Sequence, residues 1–185
     1  MRSLYVSYAL LALMFGVEVY ASRVRRTDAP RRFDPSFLPI ILLIGGGYGL
    51  AFQLAGRWHY GPRLGAWAVG AGALLAVAGA ALRVWSVATL GRYFTYVVQV
   101  SADQKVVEEG PYRLIRHPSY SGALLMGAGI GLATRYAYAP LIIVAASLAA
   151  YLIRIFVEER ALAQGIGEPY RAYMRRTRRL VPFVW

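Results

Sequence analysis

Five stretches of apolar residues, at 4–20, 37–54, 64–90, 120–133 and 141–156, constrain this chain more than anything else in it. A helix that crosses a bilayer needs roughly 20 consecutive apolar residues. Most of these stretches approach that length, and a soluble helix would break them with charge every turn or two. The expectation is an all-α integral membrane protein of about five transmembrane helices. The run at 120–133 is short unless Pro118 and Ser119 belong to it. The first run has no small-residue cleavage site and similar runs follow it, so it reads as a span and not a removable signal.

Charge orients the bundle. Basic residues number 21 against 9 acidic, a net charge of +12. They flank the apolar runs, which is the pattern of a positive-inside membrane protein and not of a nucleic-acid binder. With the N-terminus outside, sixteen basic residues fall on the inner side and four on the outer. Lys105 is the only lysine, and the Arg-, Ala- and Gly-rich composition suggests a prokaryotic inner or plasma membrane. The absence of cysteine excludes disulfides and thiol chemistry. The two histidines, His59 and His117, fall on opposite membrane faces, so no metal site is expected.

The glycines at 45, 46, 47 and 49 and at 70, 72 and 79 are expected to let helices approach closely. Glu18 lies near the end of the first span and reads as interfacial. Arg83 lies near the exit of the third, able to snorkel or to pair with an anion. Residues 22–35 form a basic loop, and 56–63 a polar turn with interfacial Trp58 and Tyr60. Residues 91–110 are expected to be irregular, with part of them over the site. Residues 136–140 form a tight turn, and 181–185 an apolar tail that docks on protein or lipid.

Two polar patches interrupt this scheme, both on the inner side. The first is 110–122, Gly-Pro-Tyr-Arg-Leu-Ile-Arg-His-Pro-Ser-Tyr-Ser-Gly. Pro118 disfavours a helical His117 and can itself start a helix. A helix start carries unpaired N–H groups and partial positive charge, so it attracts anions, and Arg113 and Arg116 add to that field. Tyr112 and Tyr120 offer flat faces for an aromatic base or a cation. An interfacial loop with an aromatic belt would use the same residues. The second patch is 154–159. Arg154 and Glu158 share a helical face, and Glu159 points about 100° away. An ion pair alone would explain Arg154 and Glu158, but charge near membrane depth is costly and usually functional. Ser119 and Ser121 flank His117, yet no Gly-x-Ser-x-Gly elbow is present to make either a nucleophile.

Together the patches resemble the isoprenylcysteine carboxyl methyltransferase family. The 110–122 stretch resembles that family's signature. Arg154 with Glu158 and Glu159, then Gly167-Glu168-Pro169-Tyr170 and Tyr173, resembles its C-terminal pattern, and Leu90-Gly91-Arg92 resembles its bacterial and archaeal members. The resemblance covers 82–185 and divides the chain into N-terminal transmembrane helices at 1–81, the third running on to about 90, and a methyltransferase-like region at 82–185. It implies an S-adenosylmethionine-dependent membrane methyltransferase whose cytoplasmic cofactor pocket is formed by the C-terminal half, with a lipophilic or prenylated substrate entering from the membrane lipids. Carried over by motif, Arg116, Arg154 and Glu158 are the catalytic candidates. Tyr112, His117, Pro118, Tyr120, Glu159 and Tyr170 are the cofactor-binding ones. The acceptor could be a carboxylate, an amine or a thiol. Membrane sterol and steroid reductases share a related C-terminal half and use NADPH, but an acidic residue often follows their glycine, where this chain has Ala123. A transporter or scaffold would place broken or charged helices at mid-bilayer; here Glu18, Arg83 and Arg154 all lie near helix ends.

Overall fold

A computed structural model describes residues 2–24, 37–59, 61–95 and 104–182. The expectations for most of the first basic loop, for Tyr60, for residues 96–103 and for the last three residues of the tail lie outside them. Among the described residues six α-helices follow in order: α1 (Arg2–Val24), α2 (Phe37–Gln53), α3 (Trp67–Leu90), α4 (Pro118–Ala133), α5 (Tyr138–Gly165) and α6 (Glu168–Arg176). Four of them, α1, α2, α3 and α5, are long and apolar enough to cross a membrane. At 16 residues α4 is about 24 Å long, short of a ~30 Å hydrocarbon core. It is enclosed by α3, α5 and α1, which spares it most contact with lipid.

The α3–α4 contact is the tightest in the molecule, and glycine makes it so. A Cβ on Gly79 would fall 2.6 Å from the Gly122 carbonyl oxygen. One on Gly122 would fall 2.7 Å from the Gly79 oxygen and 2.8 Å from the Arg83 nitrogen. Gly72 and Gly129 repeat the arrangement one layer away, so the two backbones touch along an antiparallel seam. Gly47 packs against Ala146 of α5. The other glycines expected to pack, Gly45, Gly46, Gly49 and Gly70, have open space where a Cβ would stand. They lie on other faces of the same helices.

The fifth helix is longer than the 141–156 run. Pro140 falls in its first turn, where a missing N–H costs little, so α5 starts at Tyr138 and absorbs part of the expected turn. At the other end it continues nine residues past the apolar run, about 13 Å, and carries Glu158 and Glu159 beyond the greasy stretch. The polar turn after α2 begins as a π-helical turn, Leu54–Trp58, closed by His59 in the left-handed region.

Both ends of the bundle are pinned by short backbone pairings. At one end the Leu64 N–H donates to the Arg135 carbonyl at 2.7 Å, and the Arg135 side chain donates back to the Leu64 carbonyl. At the other, the Arg116 and His117 N–H groups donate to the Arg178 and Arg179 carbonyls at 2.7 and 3.0 Å. This second pairing brings the chain after α6 alongside the start of α4, and the candidate site is built there.

Candidate active site

The stretch before α4 is shaped by its own turn-formers. Gly110 takes a positive φ of 52° and opens a 3-10 turn, Gly110–Arg113, with Pro111 at its start. His117, at φ −123° and ψ 54°, lies outside the helical region, which a following proline disfavours, and Pro118 begins α4. Tyr112 is buried, and its carbonyl accepts a 2.7 Å hydrogen bond from the Tyr173 hydroxyl of α6. Burial raises the pKa of Tyr112, Tyr170 and Tyr173, and for Tyr112 and Tyr170 the nearby Glu158 charge raises it further. All three therefore remain neutral phenols.

The two polar patches meet. The Tyr120 hydroxyl donates to Glu158 at 2.9 Å. Arg116 Nε donates to Glu159 Oε1 at 2.7 Å, and His117 Nε2 lies 3.4 Å from the same oxygen. Arg179 approaches the other oxygen of Glu159 at 3.0 Å. Arg116 Nη1 also donates to the Thr177 and Met174 carbonyls at 2.5 and 3.1 Å. Glu159 thus faces two arginines and a histidine, and these contacts tie α4, α5 and the chain after α6 together. Arg154 and Glu158, a turn apart, share another face of α5.

That face opens on two cavities. The first is a polar cleft of about 90 Å³ lined by Tyr112, Arg116, His117, Tyr120, Arg154, Glu158 and Tyr170 among others. It holds every site residue singled out from sequence except Pro118 and Glu159, which lie behind its wall. Ser119 and Tyr173 join the lining, as does the segment 104–107 with Lys105. Glu108, next in that segment, pairs with Arg176 of α6. The second cavity, about 270 Å³, lies among the spans and is bounded by Met14, Ile40, Ile44 and Tyr151, with Glu18 and Arg83. Here α1 leans on α3 and α4, and α2 leans on α5, leaving space between them.

Both cavities are lined by Tyr120, Arg154, Phe94 and Thr95. Tyr120 stacks between His117 and Tyr151, with ring centroids 5.5 and 4.8 Å apart, so one row of rings runs from the polar cleft to the apolar cavity. Arg154 is buried where the two spaces join.

Sequence reasoning did not reach the second cavity. Glu18 is not simply interfacial: both of its oxygens accept from Arg83, at 2.7 and 2.8 Å, and its side chain remains about one third exposed toward the cavity. Charge in an apolar run was the available signal, and nothing local joins positions so far apart in the chain. Among the described residues no cluster of His and carboxylate side chains could hold a metal ion.

Residues 72–164 match the isoprenylcysteine carboxyl methyltransferase (ICMT) family. The chain is 32% identical over 120 residues to protein-S-isoprenylcysteine O-methyltransferase B of Arabidopsis thaliana. That match covers 64% of this chain and 61% of the plant protein. It is 31% identical over 123 residues to protein-S-isoprenylcysteine O-methyltransferase of Tribolium castaneum, covering 64% of this chain and 43% of the insect protein. The matched region thus spans less than two thirds of these relatives. Among solved structures, that of a eukaryotic intramembrane Ras methyltransferase superposes over the whole chain and 68% of its own, with a TM-score of 0.67 at 21% identity. That likeness establishes the all-α membrane fold.

Proposed function

The chain belongs to the isoprenylcysteine carboxyl methyltransferase family, and from that premise we propose that it methylates the carboxylate of a prenylcysteine-like lipophilic acceptor, with S-adenosylmethionine as donor. The observation that carries the reading is the meeting of a polar cleft and an apolar cavity at Tyr120 and Arg154. A methyltransferase acting on a lipid must hold a water-soluble donor and a greasy acceptor at once and bring them together at one point. The inner-side arginine excess supports a cytoplasmic opening for the cleft.

The lining of the cleft suits such a donor in chemistry. S-adenosylmethionine supplies a methyl group made electrophilic by a positively charged sulfur. Tyr112, Tyr120 and Tyr170 offer ring faces for adenine and for the sulfonium. Glu158 offers a carboxylate to an ammonium or to ribose hydroxyls. Lys105, with the α4 start at His117 and Pro118, offers positive potential to the donor's carboxylate. Arg116 and Glu159 act by holding this wall in place. Arg154, at the junction, orients the acceptor carboxylate toward the cleft. A carboxylate is already the nucleophile, so no general base is required of the protein. Its contribution is alignment in a water-poor space, a large source of rate in a two-reactant step.

Calorimetry of the purified full chain with S-adenosylmethionine, S-adenosylhomocysteine and NADPH tests the donor. Binding of both adenosyl compounds is expected. Binding of NADPH alone would overturn the reading in favour of a reductase. Methyl incorporation into an S-prenylated cysteine acid, a plain isoprenoid acid, a lipid amine and a hydrophobic thiol tests the acceptor. Methylation of only the amine or the thiol would overturn the carboxylate assignment.

A further inference from the structure

We propose that Glu18 of α1 is a positioning residue for methyl transfer, acting through Arg83 and Ser119 on Tyr120. The inference rests on the donor and acceptor reading of the two cavities, and it adds a residue outside the 72–164 stretch matched by the family.

The contacts form a continuous chain. Glu18 takes Arg83 in a two-pronged pair, Nε to Oε1 at 2.7 Å and Nη2 to Oε2 at 2.8 Å. Such a fork fixes the plane of the guanidinium as well as its position. The remaining nitrogen, Nη1, then donates to Ser119 Oγ at 2.8 Å and to the Ser119 carbonyl at 3.1 Å. Ser119 is the second residue of α4 and the neighbour of Tyr120. A guanidinium held on one side by Glu18 therefore grips the turn that presents Tyr120 to both cavities. Glu18 and Arg83 also line the apolar cavity directly.

Anchoring α1 to α3 is an insufficient reason for this arrangement. Charges placed in apolar spans are costly, and well-packed apolar residues often replace a buried ion pair at little loss of stability. The side chains at Leu10 and Val17 already pack α1 onto α3 and α4. What an apolar pair could not do is hold Ser119 by two hydrogen bonds while leaving carboxylate surface at the cavity.

A double-mutant cycle tests this on the full chain, with turnover of an S-prenylated cysteine acid and S-adenosylhomocysteine affinity as readouts. Glu18→Gln and Ser119→Ala are each expected to lower kcat about tenfold, since small misplacements of reacting groups cost that much or more. Donor affinity is expected to fall by no more than kcat does, since Tyr120 also lines the donor's cleft, and the double variant to be no worse than the poorer single, because both act through one contact. Glu18→Asp keeps the charge on Arg83's partner but withdraws it by one methylene, and it carries the test should Glu18→Gln not fold. A positioning role predicts that Glu18→Asp folds, binds donor and turns over slowly. Wild-type kcat in Glu18→Gln or Glu18→Asp, or losses that multiply in the double variant, would overturn the inference. An unmutated chain that binds no S-adenosylhomocysteine would overturn the functional reading and this inference with it, a result told apart because it needs no substitution.

Discussion

Arg116 and Glu159 form a buried ion pair, 2.7 Å from Nε to Oε1, that joins the residue before His117 to the far end of α5. Arg116 is paired by its backbone as well as its side chain, since its N–H donates to the Arg178 carbonyl. Glu159 is the point at which α4, α5 and the chain after α6 are held to one another. Its neighbour Glu158, one residue away, faces the cleft instead. Two adjacent carboxylates on one helix therefore do separate jobs, one bracing the wall and one presented to the cavity.

Glu159→Ala should accordingly destabilise the protein and empty the cleft. Removing one partner of a buried pair leaves the other charge uncompensated, at a cost of about 3–5 kcal/mol. Here Arg116, Arg179 and the adjacent His117 would all lose their acceptor. Thermal unfolding in detergent should show a lower midpoint, and calorimetry weaker binding of S-adenosylhomocysteine. An unchanged midpoint with lost binding would mean that Glu159 touches the donor itself.

Arg154→Ala should leave donor binding nearly intact and abolish turnover. Arg154 lies where the cavities join, and the donor's contacts lie mainly in the cleft. The measurement is the split between S-adenosylhomocysteine affinity and kcat. Turnover at the wild-type rate would remove Arg154 from the acceptor role.

Gly79→Leu and Gly122→Leu should each cost about 3 kcal/mol or more, because the obstacle is backbone and not a side chain that can swing away. Gly46→Ala and Gly70→Ala, where a Cβ meets nothing within 4 Å, should be neutral or stabilise by up to about 1 kcal/mol. Unfolding midpoints of the four variants check this directly. A neutral Gly122→Leu would contradict the seam.

Stability should be level from pH 7 to about pH 10 and fall above it. An unfolded tyrosine ionises near 10, whereas Tyr112, Tyr170 and Tyr173 are held neutral to higher pH by burial. The folded state keeps these protons when the unfolded state releases them, so each tyrosine withdraws up to about 1.4 kcal/mol of stability per pH unit above 10. Unfolding midpoints from pH 7 to 11 should trace this limb, and Tyr170→Phe should make it less steep.

What could be read from sequence was local. Apolar length located the spans, Pro118 placed one helix start, and the four-residue spacing put Arg154 and Glu158 on one face. Resemblance then joined the two polar patches, and in the fold Tyr120 meets Glu158 and Arg116 meets Glu159. The rest depended on which faces meet. Gly70 and Gly72 are equivalent in sequence, yet only Gly72 lies on the seam. Glu18 read as interfacial and Arg83 as free to snorkel or to pair with some anion, and only the packing of α1 on α3 makes them partners. The apolar cavity draws on all five helices from α1 to α5 and on the turn after α3, so no single stretch could announce it.

Tyr120→Phe isolates the one hydrogen bond at the junction of the cavities. It removes the hydroxyl that donates to Glu158 at 2.9 Å and keeps the ring that stacks between His117 and Tyr151. A hydrogen bond to a charged group contributes about 1.5–3 kcal/mol, which corresponds to roughly ten- to a hundredfold in a rate or affinity. If the hydroxyl serves to fix Glu158, the loss should fall on donor affinity and be shared by Glu158→Gln, with the double variant no worse than either alone. If the ring is the element that matters, Tyr120→Phe should resemble wild type and Tyr120→Ala should lose both donor affinity and turnover. Donor titrations on the three single variants and the double, with kcat measured on the same preparations, separate these outcomes. The expected result is a Tyr120→Phe protein that folds with a modestly lower midpoint, binds donor at least about tenfold more weakly and couples fully to Glu158.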